Sequence, residues 1–283
     1  MVTVELANGT YQVNIVFPHS IAIKMAFNKD QPNHFGADPA TATPMQSGGF
    51  IGDTEQGGSC NVNQLILNPH CNGTHTETLA HICDTSGVLS LSIADIEIAP
   101  LVPCMLISVA PEHGMSSGES YRPDLTDRDE VVTRKQLERA LRDIDNCQLT
   151  SLVIRTLPND SGKCTRIYNE EQQPAFLSLD AVLYLNERGV EHLLLDLPSI
   201  DRLHDEGLMT SHHLFWQVPE GSHQAGQHSL LNKTITEMAY IDEQIVDGFY
   251  FLNLQMPAFI NDAAPSRPVL YSAQRVNEQP LKT

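Results

Sequence analysis

Thr133-Arg134-Lys135-Gln136-Leu137-Glu138-Arg139-Ala140-Leu141-Arg142-Asp143-Ile144-Asp145-Asn146-Cys147-Gln148-Leu149-Thr150-Ser151-Leu152-Val153-Ile154-Arg155-Thr156 changes its hydrophobic period part-way, and that change decides the fold class. Thr133 and Gln136 have the spacing of a capping box, in which two side chains satisfy the free amides of a helix start. Leu137, Ala140, Leu141 and Ile144 then recur at helical intervals, which predicts a helix over about 134–145. The continuous apolar run that follows, at 149–156, reads as a strand buried on both faces.

The same rhythm repeats on the C-terminal side. Ser178 caps a second predicted helix, which carries Ala181, Val182 and Leu185 and stops at Gly189, and 190–197 reads as another buried strand. Working outward, strands are expected at 11–17, 62–67, 249–254 and 269–271, with Pro257 and Pro265 marking a turn region. The stretch 93–109 is rich in β-formers but interrupted by Pro100 and Pro103. The Asn-, Pro-, Gly- and Gln-rich stretch 28–59 reads as a long loop, and the polar tail at 277–283 reads as frayed. No internal repeat or interdomain linker breaks the chain. Residues 1–283 are therefore expected to form one α/β domain, a mixed sheet with flanking helices.

With 35 acidic against 17 basic residues the net charge is -18, which repels phosphate backbones and anionic membranes and argues against a nucleic-acid partner. No window approaches the roughly 20 apolar residues of a membrane span, and residues 1–10 lack a secretory pattern. A cytoplasmic protein is expected. The 6 cysteines are scattered through a chain too long to need stapling, so reduced thiols are expected.

One short segment carries chemistry. From Asn68 to His81 the sequence packs His70, Cys71, His75, Glu77 and His81 into a single run. If 74–77 is extended, His75 and Glu77 project from the same face, because strand side chains alternate with period two. A nitrogen and an oxygen donor then converge on one point, and Cys71 joins them across the turn offered by Asn72-Gly73. These donor types suit a borderline-soft divalent cation. Further ligands must come from elsewhere: His212-His213 offers an imidazole, with His228 as an alternative, and Glu237 offers a carboxylate.

Cys71-Asn72-Gly73-Thr74-His75-Thr76-Glu77-Thr78-Leu79-Ala80-His81 resembles the His-x-Gly-Thr-His-x-Asp-x-Pro-x-His signature of the cyclase/kynurenine formamidase family. Leu152 to Thr156, Leu195 to Asp201, His212 to Trp216, and Pro257 with Ser266 to Val269 are similar to later segments of that family, in its order. The resemblance implies a swivelling β/β/α architecture, a homodimer or homotetramer, and hydrolysis of a small-molecule amide such as an N-formyl arylamine or a cyclic amide. By the same resemblance His75, Glu77, His212 and Glu237 stand at metal-ligand positions, and His81 stands at the position of the general acid/base.

Three departures from the signature matter: Cys71 replaces its first His unless His70 reaches in, Glu77 replaces its Asp, and Leu79 replaces its Pro. A thiolate ligand favours zinc over manganese or magnesium. The stretch 217–233 reads as an insertion that covers substrate. His34, Phe35 and Trp216 are candidates to line an apolar pocket, with core packing the expected role of Trp216, and Asp196 and Asp201 are expected to have structural duties. Two rival readings remain, a metal-dependent lyase or cyclase and a family member that binds a small molecule without turnover.

Overall fold

The capping box forms: the Thr133 hydroxyl accepts from the Gln136 amide at 3.2 Å, and the Gln136 side-chain oxygen accepts from the Thr133 amide at 3.0 Å. The helix it starts, Arg134–Ala140, ends earlier than its periodicity predicts. The guanidinium of Arg188 donates to the carbonyls of Leu141 and Ile144, at 3.1 and 2.6 Å. The Leu141 carbonyl is the acceptor that the amide of residue 145 would need in a longer helix, so a tertiary contact competes with the local propensity.

The structure is a computed structural model that describes residues 1–84 and 91–276, so the tail at 277–283 lies outside the described residues. Among these, a 10-stranded sheet is built from β1 Val2–Leu6, β2 Gly9–Ser20, β3 His75–Glu77, β4 Val102–Val109, β5 Ser151–Thr156, β6 His192–Leu195, β7 Thr234–Glu237, β8 Gly248–Asn253, β9 Ala263–Pro265 and β10 Val269–Arg275. Their spatial order is β1-β2-β10-β8-β4-β5-β6-β7-β3-β9. Strands β4 to β7 run parallel, while the strands on either side of them pair antiparallel. Each parallel connection carries a helix: α1 Arg134–Ala140, α2 Leu179–Glu187 and α3 Thr210–Trp216. The result is the expected α/β domain with a mixed sheet.

Every residue of β5 and β6 is buried. Alternation splits their side chains between two cores: Leu152, Ile154, Leu193 and Leu195 pack with Leu137, Val182 and Leu185 of the helices, while Val153 and Leu194 face Leu106, Tyr250 and Leu252. Pro103 lies inside β4 and does not interrupt it. It precedes Cys104, the first residue paired to β5, so its missing donor falls where the strand has one neighbour only. The stretch 28–59, which reads mostly as loop, also holds short strands: Thr41–Pro44 pairs with Asn63–Ile66, and Gln46–Ser47 with Phe50–Ile51. No helix among the described residues is long and apolar enough to cross a membrane.

Candidate metal centre

β3 is threaded between two antiparallel neighbours, and its register places the chemistry. Glu237 of β7 stands opposite His75, Ile235 stands opposite Glu77, and β9 sets Pro265 and Ala263 on the other side of the same two residues. Directly opposed residues share a face of the sheet, so His75, Glu77 and Glu237 project together. Thr76 points the other way, where its hydroxyl meets those of Thr236 at 2.7 Å and Ser266 at 2.8 Å and pins the three strands.

His75, Glu77 and Glu237 place one donor atom each within 4.8 Å of one another, and so do His70, Glu77 and His81. Glu77 belongs to both groups and is fully buried. His75 Nδ1 lies 3.0 Å from the Gly73 carbonyl, which can only accept, so Nδ1 carries the proton and Nε2 the lone pair. That Nε2 sits 3.4 Å from Glu237 Oε2, and the other oxygen of Glu237 accepts the Ile200 amide at 2.8 Å. On the far side, His212 of α3 bridges Asp201 Oδ2 at 2.6 Å and Glu77 Oε1 at 2.9 Å.

His70 and His81 close the outer side of the cluster, their rings stacked 4.3 Å apart. Asp262 holds both, 2.8 Å from His70 Nε2 and 3.2 Å from His81 Nδ1. Glu77 Oε2 lies 3.1 Å from His70 Nδ1 and 3.8 Å from His81 Nε2. Neither contact has the alignment of a hydrogen bond, which leaves Glu77 Oε2 and His75 Nε2 as buried atoms without hydrogen-bond partners among the described residues. Each such atom costs roughly 1–3 kcal/mol unless something meets it. One imidazole and two carboxylates, from His75, Glu77 and Glu237, converge on one point, and with the lone pairs of His75 Nε2 and Glu77 Oε2 unshared they fit a divalent cation.

The charges follow from this crowding. Burial alone would push the Glu77 carboxyl up, but His81, His212 and His70 around it hold it well below the ordinary carboxylate range. Burial likewise works against a charged His212, yet Glu77 and Asp201 raise it well above an ordinary imidazole. For His70 burial is outweighed by Asp262 and Glu77, and its pKa rises to about 10.

A family model described as a putative cyclase matches residues 10–202. The chain belongs to the cyclase family. Kynurenine formamidase of Bacillus mycoides is 28% identical over 220 residues, which span 76% of this chain and 82% of that protein. Kynurenine formamidase of Bacillus thuringiensis subsp. konkukian is 27% identical over 220 residues, with the same coverage of 76% and 82%. Among solved structures, isatin hydrolase A from Labrenzia aggregata superposes with a TM-score of 0.61 at 12% identity, covering 90% of this chain and 93% of that one. A potential metal-dependent hydrolase with cyclase activity gives a TM-score of 0.57 at 16% identity, covering 90% and 97%. At these identities the structures establish a shared fold.

Within the cyclase family this chain has a first position that reads differently in space than in sequence. Cys71 belongs to neither donor group, and His70 stands in its place. The turn Pro69–Asn72 is helical, begun by Pro69 and capped by the Asn68 side chain, so adjacent side chains diverge by about 100°. His70 swings toward Glu77, while Cys71 is buried and its thiol pKa is pushed up, by burial first and then by Glu237. The same divergence separates His212, which reaches Glu77, from His213; His228 is exposed on the 217–233 stretch. That stretch packs beside the site, with the His223 carbonyl accepting the Asp84 amide at 2.8 Å. Trp216 is wholly buried in the core and donates to the Lys233 carbonyl at 3.0 Å.

Asp262 was missed from sequence. It follows Ile260 and Asn261 in the turn before β9 and matches no signature element, and only the β9–β3 pairing brings it to His70 and His81. Asp201 has a structural duty, as expected: it bonds the His212 ring and accepts the amides of Ser211 and His212 at 2.7 and 3.2 Å.

Proposed function

We propose that the chain is a metal-dependent amide hydrolase acting on a small N-acyl arylamine, such as N-formylkynurenine, or on a cyclic amide. The observation that carries the reading is the pair of buried, unpartnered atoms His75 Nε2 and Glu77 Oε2 inside a set of imidazoles and carboxylates. The curated relatives act as kynurenine formamidases and a structural neighbour as an isatin hydrolase, and both names describe opening of an amide bond.

His75, Glu77, Glu237 and His212 would hold the ion, with His70 a further imidazole on the Glu77 side, and His212 and His70 would each give up a proton to bind it. A divalent cation there would supply a water of lowered pKa and polarise a carbonyl. His81 is the only imidazole of the cluster on a short 3-10 turn, Leu79–His81, and it is partly open to solvent. Its Nδ1 is held by Asp262, which leaves Nε2 facing the interior to take a proton from water and return it to the departing nitrogen. Asp262 thereby fixes the ring's orientation and tautomer. With Cys71 outside the donor groups, zinc is favoured over manganese by the number of imidazoles and no longer by a thiolate.

Elemental analysis of His75→Ala and His81→Ala tests this assignment. His75→Ala is expected to lose metal and activity together, whereas His81→Ala keeps its metal and loses turnover by roughly 10²–10⁴-fold. Full metal content in His75→Ala would remove the basis of the reading. Turnover in isotopically labelled water separates hydrolysis from a lyase reaction, because only hydrolysis places solvent oxygen in the product.

A further inference from the structure

The segment Asn33 to Ala37 combines features that a simple surface loop does not need. His34 is 1% exposed, yet neither of its ring nitrogens has a hydrogen-bond partner among the described residues. An imidazole always presents at least one N–H, so burying it without an acceptor is costly unless a ligand completes it. Burial first, then His75 and His204, hold its pKa down to about 3, so the ring is neutral and offers one donor and one lone pair.

The loop is tied on both sides. Its His34 amide donates to the Cys71 carbonyl at 3.2 Å on the side of the metal centre. Asn33 exchanges backbone bonds with Arg166 and Tyr168 on the other, at 3.0 and 2.9 Å. The Tyr168 ring stands edge-on to His34 at 6.3 Å and also lines a cavity of about 670 Å³ at the C-terminal ends of β5 and β6. Ligands of open α/β sheets bind at that end of the strands. His34 therefore touches a residue of this cavity on one side and the Cys71 backbone of the metal-site segment on the other.

Phe35 adds a second signal. Its ring lies 3.7 Å from that of His34 and is 62% exposed, on a backbone with φ 55 followed by Gly36 with φ 63. The left-handed conformation is unusual for a bulky aromatic residue, and such strain gathers at ligand-binding segments.

We propose that His34 and Phe35 recognise the substrate, His34 by donating a hydrogen bond to a carbonyl or carboxylate oxygen carried on the substrate's aromatic ring, and Phe35 by packing against that ring. The inference rests on the amide-hydrolase reading and names its specificity. His34 is a positioning residue and takes no proton in the reaction.

The test compares wild type, His34→Phe, His34→Gln and Phe35→Ala, each loaded with zinc and checked for metal content, on N-formylkynurenine and N-formylaniline. The two probes share the scissile formamide, but only the first carries a ring carbonyl. For N-formylkynurenine, His34→Phe is expected to raise KM roughly tenfold with kcat nearly unchanged. It should leave KM for N-formylaniline unmoved and keep or raise the melting temperature, while His34→Gln recovers most of the loss. Phe35→Ala should raise KM for both probes. A structural histidine would instead lower the melting temperature and affect both probes alike, and that result, or unchanged KM throughout, overturns the inference.

If wild type hydrolyses neither probe, the amide-hydrolase reading falls on its own, and calorimetry with 2-aminobenzoate decides. Binding weakened roughly tenfold by His34→Phe sustains the recognition role. Equal affinity in both proteins, or no binding by wild type, ends it.

Discussion

Glu77 and Asp196 are two buried carboxylates set around the same parallel strands, and the chain treats them in opposite ways. Asp196 follows β6, and its oxygens accept from the Thr156 amide at 2.9 Å, the Thr156 hydroxyl at 2.9 Å and Lys163 Nζ at 2.7 Å. Lys163 is itself completed by the Thr156 carbonyl at 2.7 Å. Glu77 accepts from His212 through one oxygen and leaves the other without a hydrogen bond. Burial prevails at Asp196 and raises its carboxyl despite Lys163, whereas the imidazoles prevail at Glu77 and lower it. A buried acid whose lone pairs are saturated holds a fold together, and one left unsaturated among imidazoles is arranged for a ligand.

The sharpest way to break this contrast is to neutralise each acid in turn. Glu77→Gln should strip the metal and reduce turnover by at least about 10³-fold, near 4 kcal/mol in the barrier. Asp196→Asn should keep its metal; equal metal loss in the two variants would erase the distinction. Lys163→Met strands the Asp196 charge in the core and should cost about 3–5 kcal/mol in urea denaturation, with metal stoichiometry intact.

A third measurement uses pH. Burial, then Lys233, lowers the pKa of His192 at the start of β6 to about 4. The folded chain thus refuses a proton that the unfolded chain accepts below about 6.5, so this contribution is complete above that pH and is lost as pH falls toward 4. It amounts to about 3 kcal/mol, read as the difference in acid slope between wild type and His192→Gln. The smallest effect is expected from Asp262→Asn, which keeps the metal and lowers kcat roughly tenfold by loosening the hold on His81. A loss as deep as that of His81→Ala would make Asp262 part of the proton transfer itself.

What the sequence made legible was whatever depends on near neighbours. The capping box at Thr133, the helix capped by Ser178 and the two buried strands rest on local periodicity, and they formed. The shared face of His75 and Glu77 also follows from strand alternation alone. Arg188 cutting short α1 and Asp262 reaching His70 and His81 depend on partners far along the chain, and no local pattern announces them. Cys71 and His70 show a finer limit. Their donor chemistry was legible, but which of two adjacent side chains faces the site depends on whether residues 69–72 coil or extend. The strands within 28–59 were hidden by a loop-like composition, because their partners and not their residues make them strands.

The position of β3 between β7 and β9 also sets a timetable for synthesis. Thr76 bonds Thr236 and Ser266, contacts separated by 160 and 190 residues. A ribosome adding about 5–20 residues per second delivers that last partner on the order of 10–40 s after Thr76 itself. Throughout that interval the segment bearing His70, His75, Glu77 and His81 is exposed in the nascent chain without the strands that aim it. Ion capture in the finished arrangement therefore waits until β9 has been made, and truncation upstream of β9 forfeits it.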